Sequence, residues 1–423
     1  MRGDATVATM LPPRKRLAHR LKAALYRSAR LDAFLDDHLA PAVATVRASA
    51  LSRAYLRLLP ERALRATPLA PGPAAGAPTA LLLTLVPPED TGGGSRPAQL
   101  AAELQRRGFA IDWRYALPIF PWPRRRRPVL PGVSVRALGT GGDAPAPSSP
   151  AFVLIEAPHP LLAGELAALP RDVTTIYDAI DVWDGSLGAG WYDRATEDAL
   201  LRRASALIAS SRLLRDELAR RAGRPVELLP NGVDPRVFDA RVVHAAPPDL
   251  RRGEPTVLYV GSLWGEWVDL DLIAAVAHAL PRATFNLIGP AGTRRLPSAP
   301  NIALLGARAQ RDVPAYLQAS DVAIVPFASG RLSAAVSPLK AFEYLAMERP
   351  VVATPLPELD GVPGVTIARG ADAFAAAIGD AARTTFPRAD AAAFVARQTW
   401  QERVGRLVDI SNRGERIATE RKD

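Results

Sequence analysis

The sequence predicts an α/β protein with two domains in series, each built on a parallel sheet and facing a shared cleft. Short apolar runs of strand length alternate with helical segments along most of the chain. The alternation restarts at TVLYVGSLW (256–264), directly after the Pro-rich spacer HAAPPDLRRGEP. At 423 residues the chain is long enough for two sizeable domains and a smaller third region. Between two such domains we expect a ligand-binding cleft.

Composition excludes several classes of protein. Hydrophobic residues make up 48% of the chain and mean hydropathy is +0.02, as in a soluble globular protein. No apolar run has transmembrane length and no secretory signal pattern is present, so we expect a cytoplasmic protein. The absence of cysteine excludes disulfides, thiolate metal ligands and cysteine nucleophiles. The five histidines show no paired spacing, so we expect no metal site.

The first 78 residues carry most of the net charge of +10. They contain 13 Lys and Arg residues against 5 Asp and Glu residues, which is +8. Residues 12–65 have the periodicity of amphipathic helices, and PLAPGPAAGAP (68–78) is typical of a linker. Two interpretations stay open. The basic helices bind an anionic membrane surface, peripherally at its inner face, or they pack their apolar stripe on the protein.

The first predicted domain opens with a β-loop-α-β unit. A buried strand at 80–86 leads into PPEDTGGGSRP, then into the helix PAQLAAELQRRG with Gly108 at its end, and then into the strand FAIDWRYAL. The loop is not a GxGxxG fingerprint. Its three glycines indicate either close approach of the backbone to a ligand or a plain flexible turn. Later strands are predicted at 151–158, 174–181 and 206–211, followed by the helix RLLRDELARR and the strand VELLP.

Polar side chains follow two of these strands. Asp178 and Asp181 end the run TTIYDAID, where they would orient an acceptor hydroxyl or act as a base; alternatively, Asp178 caps the following segment. His159 follows AFVLIEAP, and a single histidine in that place is often structural. The basic loop PWPRRRRP (121–128) is either solvated or suited to an anionic lipid phosphate. No nucleic-acid-binding motif accompanies it, so we expect no nucleic acid partner.

The most informative segment is SPLKAFEYLAMERPVVAT (337–354), in the second predicted domain. It follows the strand DVAIVPF, and Ser337 and Pro338 are typical of an N-cap and a first helical position. The helix is expected to run to about Arg349, with PVVAT as the next strand. Its free N–H groups and dipole favour a phosphate. Glu343 would lie about 9 Å along the helix, within reach of a ribose, with Lys340 nearer the phosphates; alternatively the two form a solvated i,i+3 pair.

The remaining motifs occur in a fixed order. LPNGVDPRVF (229–238) lies between the two halves and GSLWGEWVDLDLI follows the first strand of the second half; FNLIGP, NIALLG and the 337–354 segment come after it. With this ordered set the chain resembles bacterial glycosyltransferases of the GT-B fold in the "glycosyl transferases group 1" family, in the SPLK-FEYLA branch found among cell-surface polysaccharide enzymes. The similarity covers about residues 80 to 412.

The resemblance implies a division of the chain. We expect a basic helical region and linker at 1–78, a Rossmann-like acceptor domain at 79–240, and a Rossmann-like nucleotide-sugar donor domain at 241–397. The last segment, 398–423, would hold a helix from Thr399 that crosses back to the first domain. Asn231 and Gly232 would form a turn that shapes the hinge.

The resemblance also implies site residues. Glu343 would hold the donor ribose. The diphosphate would lie near the backbone of Gly261, Ser262, Ser337, Pro338 and Leu339. Gly289 and Pro290 would border the cleft, Gly306 would lie beside the base, and Gly93 and Gly94 would close over the phosphates. His159 would contact the donor sugar.

Two departures from the family pattern stand out. Ala335 occupies the position eight residues before Glu343 where the family often has a second glutamate. GEWVD (265–269) lacks the Arg and Lys common after the first strand of the second domain, so Lys340, Arg331 or Arg294 would supply positive charge.

We therefore expect a hexosyltransferase that moves a sugar from a nucleoside diphosphate sugar to a hydroxyl of a glycan, glycolipid or natural product. Configuration would be retained, and no cofactor or metal would be needed beyond the sugar nucleotide as co-substrate. A degenerate member acting as a binding or scaffold subunit is the alternative. A nucleotide-sugar epimerase would need a dense set of acid and base residues that the sequence does not show.

Overall fold

The computed structural model describes residues 76–88, 94–116, 133–138, 150–263, 265–290 and 296–420. The predicted basic helices before residue 76 and the loop PWPRRRRP lie outside these residues. So do two predicted site residues, Gly93 and Arg294.

The first sheet has seven parallel strands within the described residues. In chain order they are β1 (Thr79–Thr84), β2 (Ala110–Tyr115), β3 (Val133–Ala137), β4 (Phe152–Ile155), β5 (Thr175–Ala179), β6 (Ala206–Ala209) and β7 (Glu227–Leu228). Their spatial order is β3-β2-β1-β4-β5-β6-β7. The helices that connect them are α1 (Arg96–Arg106), α2 (Pro160–Ala167), α3 (Arg194–Arg203) and α4 (Arg212–Ala222). Successive strands are added on one side of β1 up to β3 and on its other side from β4 onward, so a crevice forms at the carboxyl ends of β1 and β4.

The second sheet has six parallel strands in the part of the chain that the structure describes. They are β8 (Thr256–Val260), β9 (Thr284–Ile288), β10 (Ile302–Gly306), β11 (Val322–Val325), β12 (Val351–Ala353) and β13 (Val365–Ile367). The spatial order β10-β9-β8-β11-β12-β13 is the 3-2-1-4-5-6 order of a dinucleotide-binding domain. The prediction of two parallel α/β sheets is confirmed.

Helices cover the second sheet and continue past it. In chain order they are α5 (Leu270–Ala279), α6 (Val313–Gln318), α7 (Arg331–Ala334), α8 (Leu339–Ala346), α9 (Gly370–Ala381), α10 (Arg388–Ala396) and α11 (Trp400–Glu420). Strands β8, β9 and β11 are buried along their whole length, which explains their continuous apolar runs. No helix among the described residues is long and apolar enough to cross a bilayer.

Helix α11 follows the second sheet in sequence but packs on the first. Its residues Trp400, Val404 and Leu407 are buried in the same core cluster as Leu82 and Leu100. The chain crosses between the sheets twice, and the crossings touch. Val233 N–H donates to Gln398 O at 2.7 Å, and Trp400 N–H donates to Val233 O at 3.1 Å.

Helix α8 differs from its prediction at both ends. It begins at Leu339 and ends at Ala346, one turn earlier than expected. Ser337 does not cap it: its Oγ accepts a hydrogen bond from Asn231 N–H at 2.9 Å, so the hydroxyl is directed to the inter-domain segment. Glu348 adopts a left-handed φ of 55°, which ends the helix before Pro350 is reached.

Candidate functional site

A cleft of about 280 Å³ lies at the carboxyl edge of the second sheet, where β8 and β11 diverge. Gly94 and Ser95 of the first domain close one side of it. Nine of the predicted site residues line this cleft: Gly94, Gly261, Ser262, Gly289, Pro290, Ser337, Pro338, Leu339 and Lys340. Gly306 and Glu343 do not line it, but the residues that follow them in sequence, Ala307 and Tyr344, do. The lining thus comes from both domains and from segments as far apart as residues 94 and 344.

The loops after β8 and β9 meet at two glycines. Gly289 has φ +151°, and a Cβ on it would lie 1.7 Å from Gly261 O. Leu263 N–H donates to Pro290 O at 2.8 Å, which fixes the two loops to each other. Glycine is required at 289 because any side chain would push these loops apart.

Glu343 has no solvent exposure. Its Oε1 accepts a hydrogen bond from Gln310 Nε2 at 2.9 Å. Its Oε2 lies 2.9 Å from Lys340 Nζ, outside hydrogen-bond geometry, and no described residue donates a hydrogen bond to this oxygen. The i,i+3 pair with Lys340 therefore exists, but Glu343 is not solvated. It is a buried carboxylate beside the cleft with unused acceptor capacity.

The start of α8 is tied to the first domain. Asn231 donates from its backbone N–H to Ser337 Oγ and from Nδ2 to Ser337 O, at 2.9 and 2.8 Å. Asn231 Oδ1 in turn accepts from Arg96 Nη1 at 3.2 Å. Arg96 is the first residue of α1 and is held by Asp178 at the end of β5. Asn231 therefore does more than shape a turn, because it joins the glycine-loop helix to the start of α8.

Asp178 and Asp181 have different environments. Arg96 binds both oxygens of Asp178, through Nε at 2.8 Å and Nη2 at 3.0 Å, and Asp178 is buried. Asp181 is partly buried. Burial raises the pKa of Asp181 to about 7. Asp181 thus has a pKa near neutrality, and both oxygens of Asp178 are committed to Arg96.

Glu156 is a third carboxyl group at this edge, which the sequence reasoning missed although it lies inside AFVLIEAP. Its Oε1 accepts from Leu85 N–H at 2.7 Å, at the base of the glycine loop. Burial raises the pKa of Glu156 to about 8, and the nearby charges of Asp178 and Asp181 add to the shift. Glu156 directly follows β4, at the point where the strand order of the sheet switches sides. This position could have identified it as a candidate site residue.

His159 is the N-cap of α2. Its Nδ1 accepts from Leu161 N–H at 3.2 Å, and its ring lies 5.2 Å from that of Trp191. Burial lowers the pKa of His159 to about 4. The ring is therefore neutral near pH 7, and with Nδ1 accepting, its proton is on Nε2.

Positive charge at the cleft comes from few of the described residues. Arg331, one of the three residues expected to supply positive charge, forms ion pairs with Asp184 and Glu217 of the first domain, each at 2.7 Å. Arg308 lines the cleft but donates to Tyr316 and Asp249. This leaves Lys340. Ala335 is buried in the core cluster of the first domain, and Trp267 of GEWVD lines the cleft.

Comparison with known proteins identifies the second domain. Residues 254–383 match the family described as "Glycosyl transferases group 1". The match covers 130 of the 423 residues of the chain. A putative teichuronic acid biosynthesis glycosyltransferase of Bacillus subtilis, TuaH, is 30% identical over 201 residues, which is 43% of this chain. The match spans 50% of TuaH, about half of that relative's length.

Two solved structures show the fold that the chain shares with such proteins. Anabaena Alr3699/HepE, solved in complex with UDP and glucose, has a TM-score of 0.55 at 16% identity, covering 78% of this chain and 99% of that one. A glycosyltransferase from Rickettsia africae has a TM-score of 0.55 at 13% identity, with coverage of 80% and 99%. At these identities the similarity establishes the fold alone, which is GT-B.

Proposed function

We propose that this protein is a glycosyltransferase that uses a nucleoside diphosphate sugar, with a uridine nucleotide as the first donor to test. The group 1 match in the second domain supports a nucleotide-sugar donor. HepE, a protein of the same fold, binds UDP-glucose in its solved structure. The role named for TuaH makes a cell-surface polysaccharide the acceptor that we propose.

The observation that carries this proposal is the carboxylate of Glu343. A buried carboxylate is costly unless its oxygens are satisfied, and Oε2 has the ion pair with Lys340 but receives no hydrogen bond from any described residue. Ribose hydroxyls donate hydrogen bonds and would complete it. The diphosphate would then lie at the start of α8, where Ser337, Pro338 and Lys340 line the cleft.

In the proposed reaction, the bond between the sugar C1 and the diphosphate oxygen breaks as the acceptor oxygen bonds to C1. With retention, the acceptor attacks from the side of the leaving group, so its proton passes to the departing diphosphate. The helix dipole and Lys340 stabilise the charge on that diphosphate, and the Nε2–H of His159 donates to a sugar hydroxyl. Asp181 orients the acceptor hydroxyl, while Asp178 holds Arg96 in place.

Calorimetric titration of the full chain with UDP, GDP and dTDP tests the proposal. We expect one of them to bind, and Glu343→Gln to weaken it about tenfold or more, because a charged hydrogen bond contributes about 1.5–3 kcal/mol. Glu348→Gln is the matched control, since Glu348 lies five residues on and pairs with Arg388. If no nucleotide binds, or if Glu343→Gln binds as tightly as the parent, the proposal fails.

A second candidate is a nucleotide-binding subunit without transferase activity. Ala335 favours it: the position that often carries a carboxylate in the family is here a methyl group packed in the core of the first domain. A donor-hydrolysis screen across a panel of nucleotide sugars distinguishes the two candidate functions. Binding without release of nucleotide from any donor would favour the subunit, and turnover of one donor would exclude it.

A further inference from the structure

Three side chains form a relay from the first domain to the candidate ribose ligand. Gln99, on α1, donates from Nε2 to Gln310 Oε1 at 2.7 Å. Gln310 donates from its own Nε2 to Glu343 Oε1 at 2.9 Å. The relay crosses the interface between the domains and joins residues more than 200 positions apart in sequence.

The direction of these hydrogen bonds is set by the last member. An ionised carboxylate only accepts, so Gln310 must present its amide NH₂ to Glu343 and its carbonyl oxygen to Gln99. Gln99 must then donate. The relay has a single arrangement, and any group at position 99 that only accepts would turn Gln310 away from Glu343.

Gln310 and Gln99 have different positions relative to the cleft. Gln310 lines the cleft, in the short turn Gln310–Asp312 before α6. Gln99 is buried and does not belong to the described lining. It lies on α1, which begins directly after Gly94 and Ser95, the first-domain residues that close the cleft. The hydrogen bond to Gln310 thus connects Gln99 to a residue of the cleft lining.

We propose that Gln310 is a positioning residue that orients Glu343 toward the ribose of the nucleotide. The affinity of the protein for the nucleotide then depends on the contact between Gln310 and Gln99. This inference rests on the proposed function. A ribose that binds Glu343 holds the carboxylate, Gln310 and α1 in one arrangement. Because such coupling is reciprocal, nucleotide binding stabilises the contact between the domains.

The first test reverses the direction of the hydrogen bond between positions 99 and 310. In Gln99→Glu the new carboxylate accepts from Gln310, whose carbonyl oxygen then faces Glu343. We expect the Kd for UDP, or for whichever of the three nucleotides the parent binds, to rise about tenfold or more. Gln99→Met should raise it less, because Gln310 keeps its bond to Glu343. Gln105→Glu adds the same charge on the same helix and should leave the Kd unchanged. Parent-like affinity in Gln99→Glu would overturn the proposal.

The second test has a pH signature that a merely structural role lacks. Gln310→Glu places a second carboxyl group against that of Glu343, and the two groups repel each other unless one of them is protonated. We expect weak nucleotide binding at pH 8 that recovers as the pH falls toward 5, where the protonated group again donates to Glu343. The ratio of variant to parent Kd should fall over this range. A constant ratio contradicts the relay.

Hydrogen exchange on the parent protein supplies a measurement that does not depend on folding of Gln99→Glu. Nucleotide should slow exchange of the amides of α1, residues 96–106, in the parent but not in Gln310→Leu. If the parent binds none of UDP, GDP and dTDP, the proposed function itself fails. If it binds one of them without protection of α1, only the relay is excluded.

Discussion

Arg96 donates hydrogen bonds to both carboxylate oxygens of Asp178, at 2.8 and 3.0 Å, and both side chains are buried. The two residues lie 82 positions apart. Together they connect the carboxyl end of β5 to the first turn of α1. Since Arg96 also donates to Asn231, this pair sets the position from which α1 reaches the second domain.

Removing one member of this pair should be costly. Asp178→Ala leaves Arg96 buried without its partner, and we expect a loss of about 3–5 kcal/mol in the free energy of unfolding, measured as a lower thermal midpoint. Asp184→Ala, which removes an exposed partner of Arg331, should cost less than about 1 kcal/mol. Equal shifts in the two variants would show that burial of the Arg96 pair has no special weight.

Glu156 should make stability fall as the pH rises. Its folded pKa, about 8, exceeds the ordinary 4.5, so the folded state holds a proton that the unfolded state releases. The stabilisation is complete below pH 4.5 and is lost as the pH rises through 8. Glu156→Gln retains an oxygen for Leu85 N–H and does not titrate. We expect thermal midpoints similar to the parent at pH 5 and higher than the parent at pH 9; a parent-like pH profile would refute this assignment.

His159 should have the opposite effect on the acid side. Its folded pKa, about 4, is below the ordinary 6.5, so the unfolded state binds more protons between these values. Its contribution is complete above pH 6.5 and is lost as the pH falls toward 4. His159→Asn keeps an acceptor for the N-cap of α2 without titrating. Between pH 7 and 4.5 the parent should lose about 2 kcal/mol more than this variant, as denaturant midpoints would show.

Gly289 should tolerate no side chain. In Gly289→Ala the new methyl group would lie 1.7 Å from Gly261 O, so the loops after β8 and β9 must separate. We expect nucleotide affinity to fall about tenfold or more, with a lower thermal midpoint. Gly164→Ala is the control, because nothing lies within 4 Å of its new methyl group on α2. Unchanged affinity in Gly289→Ala would mean that these loops do not shape the nucleotide site.

The strands of both sheets were largely predictable, because buried parallel strands appear as continuous apolar runs. The exceptions are informative. Strand β3 (Val133–Ala137) alternates polar and apolar residues at one edge of the first sheet. Strand β13 (Val365–Ile367) is a three-residue strand at one edge of the second sheet. Neither has a long enough apolar run to stand out. Helices α2 and α3 were also missed, because α2 has only eight residues and α3 has few apolar positions.

The site was only partly predictable for a different reason. Glycines and helix starts have local signatures, and nine such residues do line the cleft; the roles given to them stay predictions. The side chains that organise the cleft from behind, Arg96, Gln99 and Gln310, have partners far away in sequence. Ser337 shows the same limit: its local context predicts a cap, and a distant Asn231 takes its hydroxyl instead.

The adjacent crossings at Val233 and Thr399 make the second sheet and its helices an insertion within the first domain. The chain leaves the first domain and returns to it at neighbouring points. The segment between Val233 and Thr399, here called the cassette, could therefore be replaced by that of another protein, because the two ends left in the first domain already touch. Under the proposed function, recognition of the nucleotide base would move with the cassette, whereas Asp181 and His159 would stay in the first domain. The contacts between the cassette and the first domain would have to be matched, among them those of Asn231 with Ser337, of Gln99 with Gln310, and of Arg331 with Asp184 and Glu217.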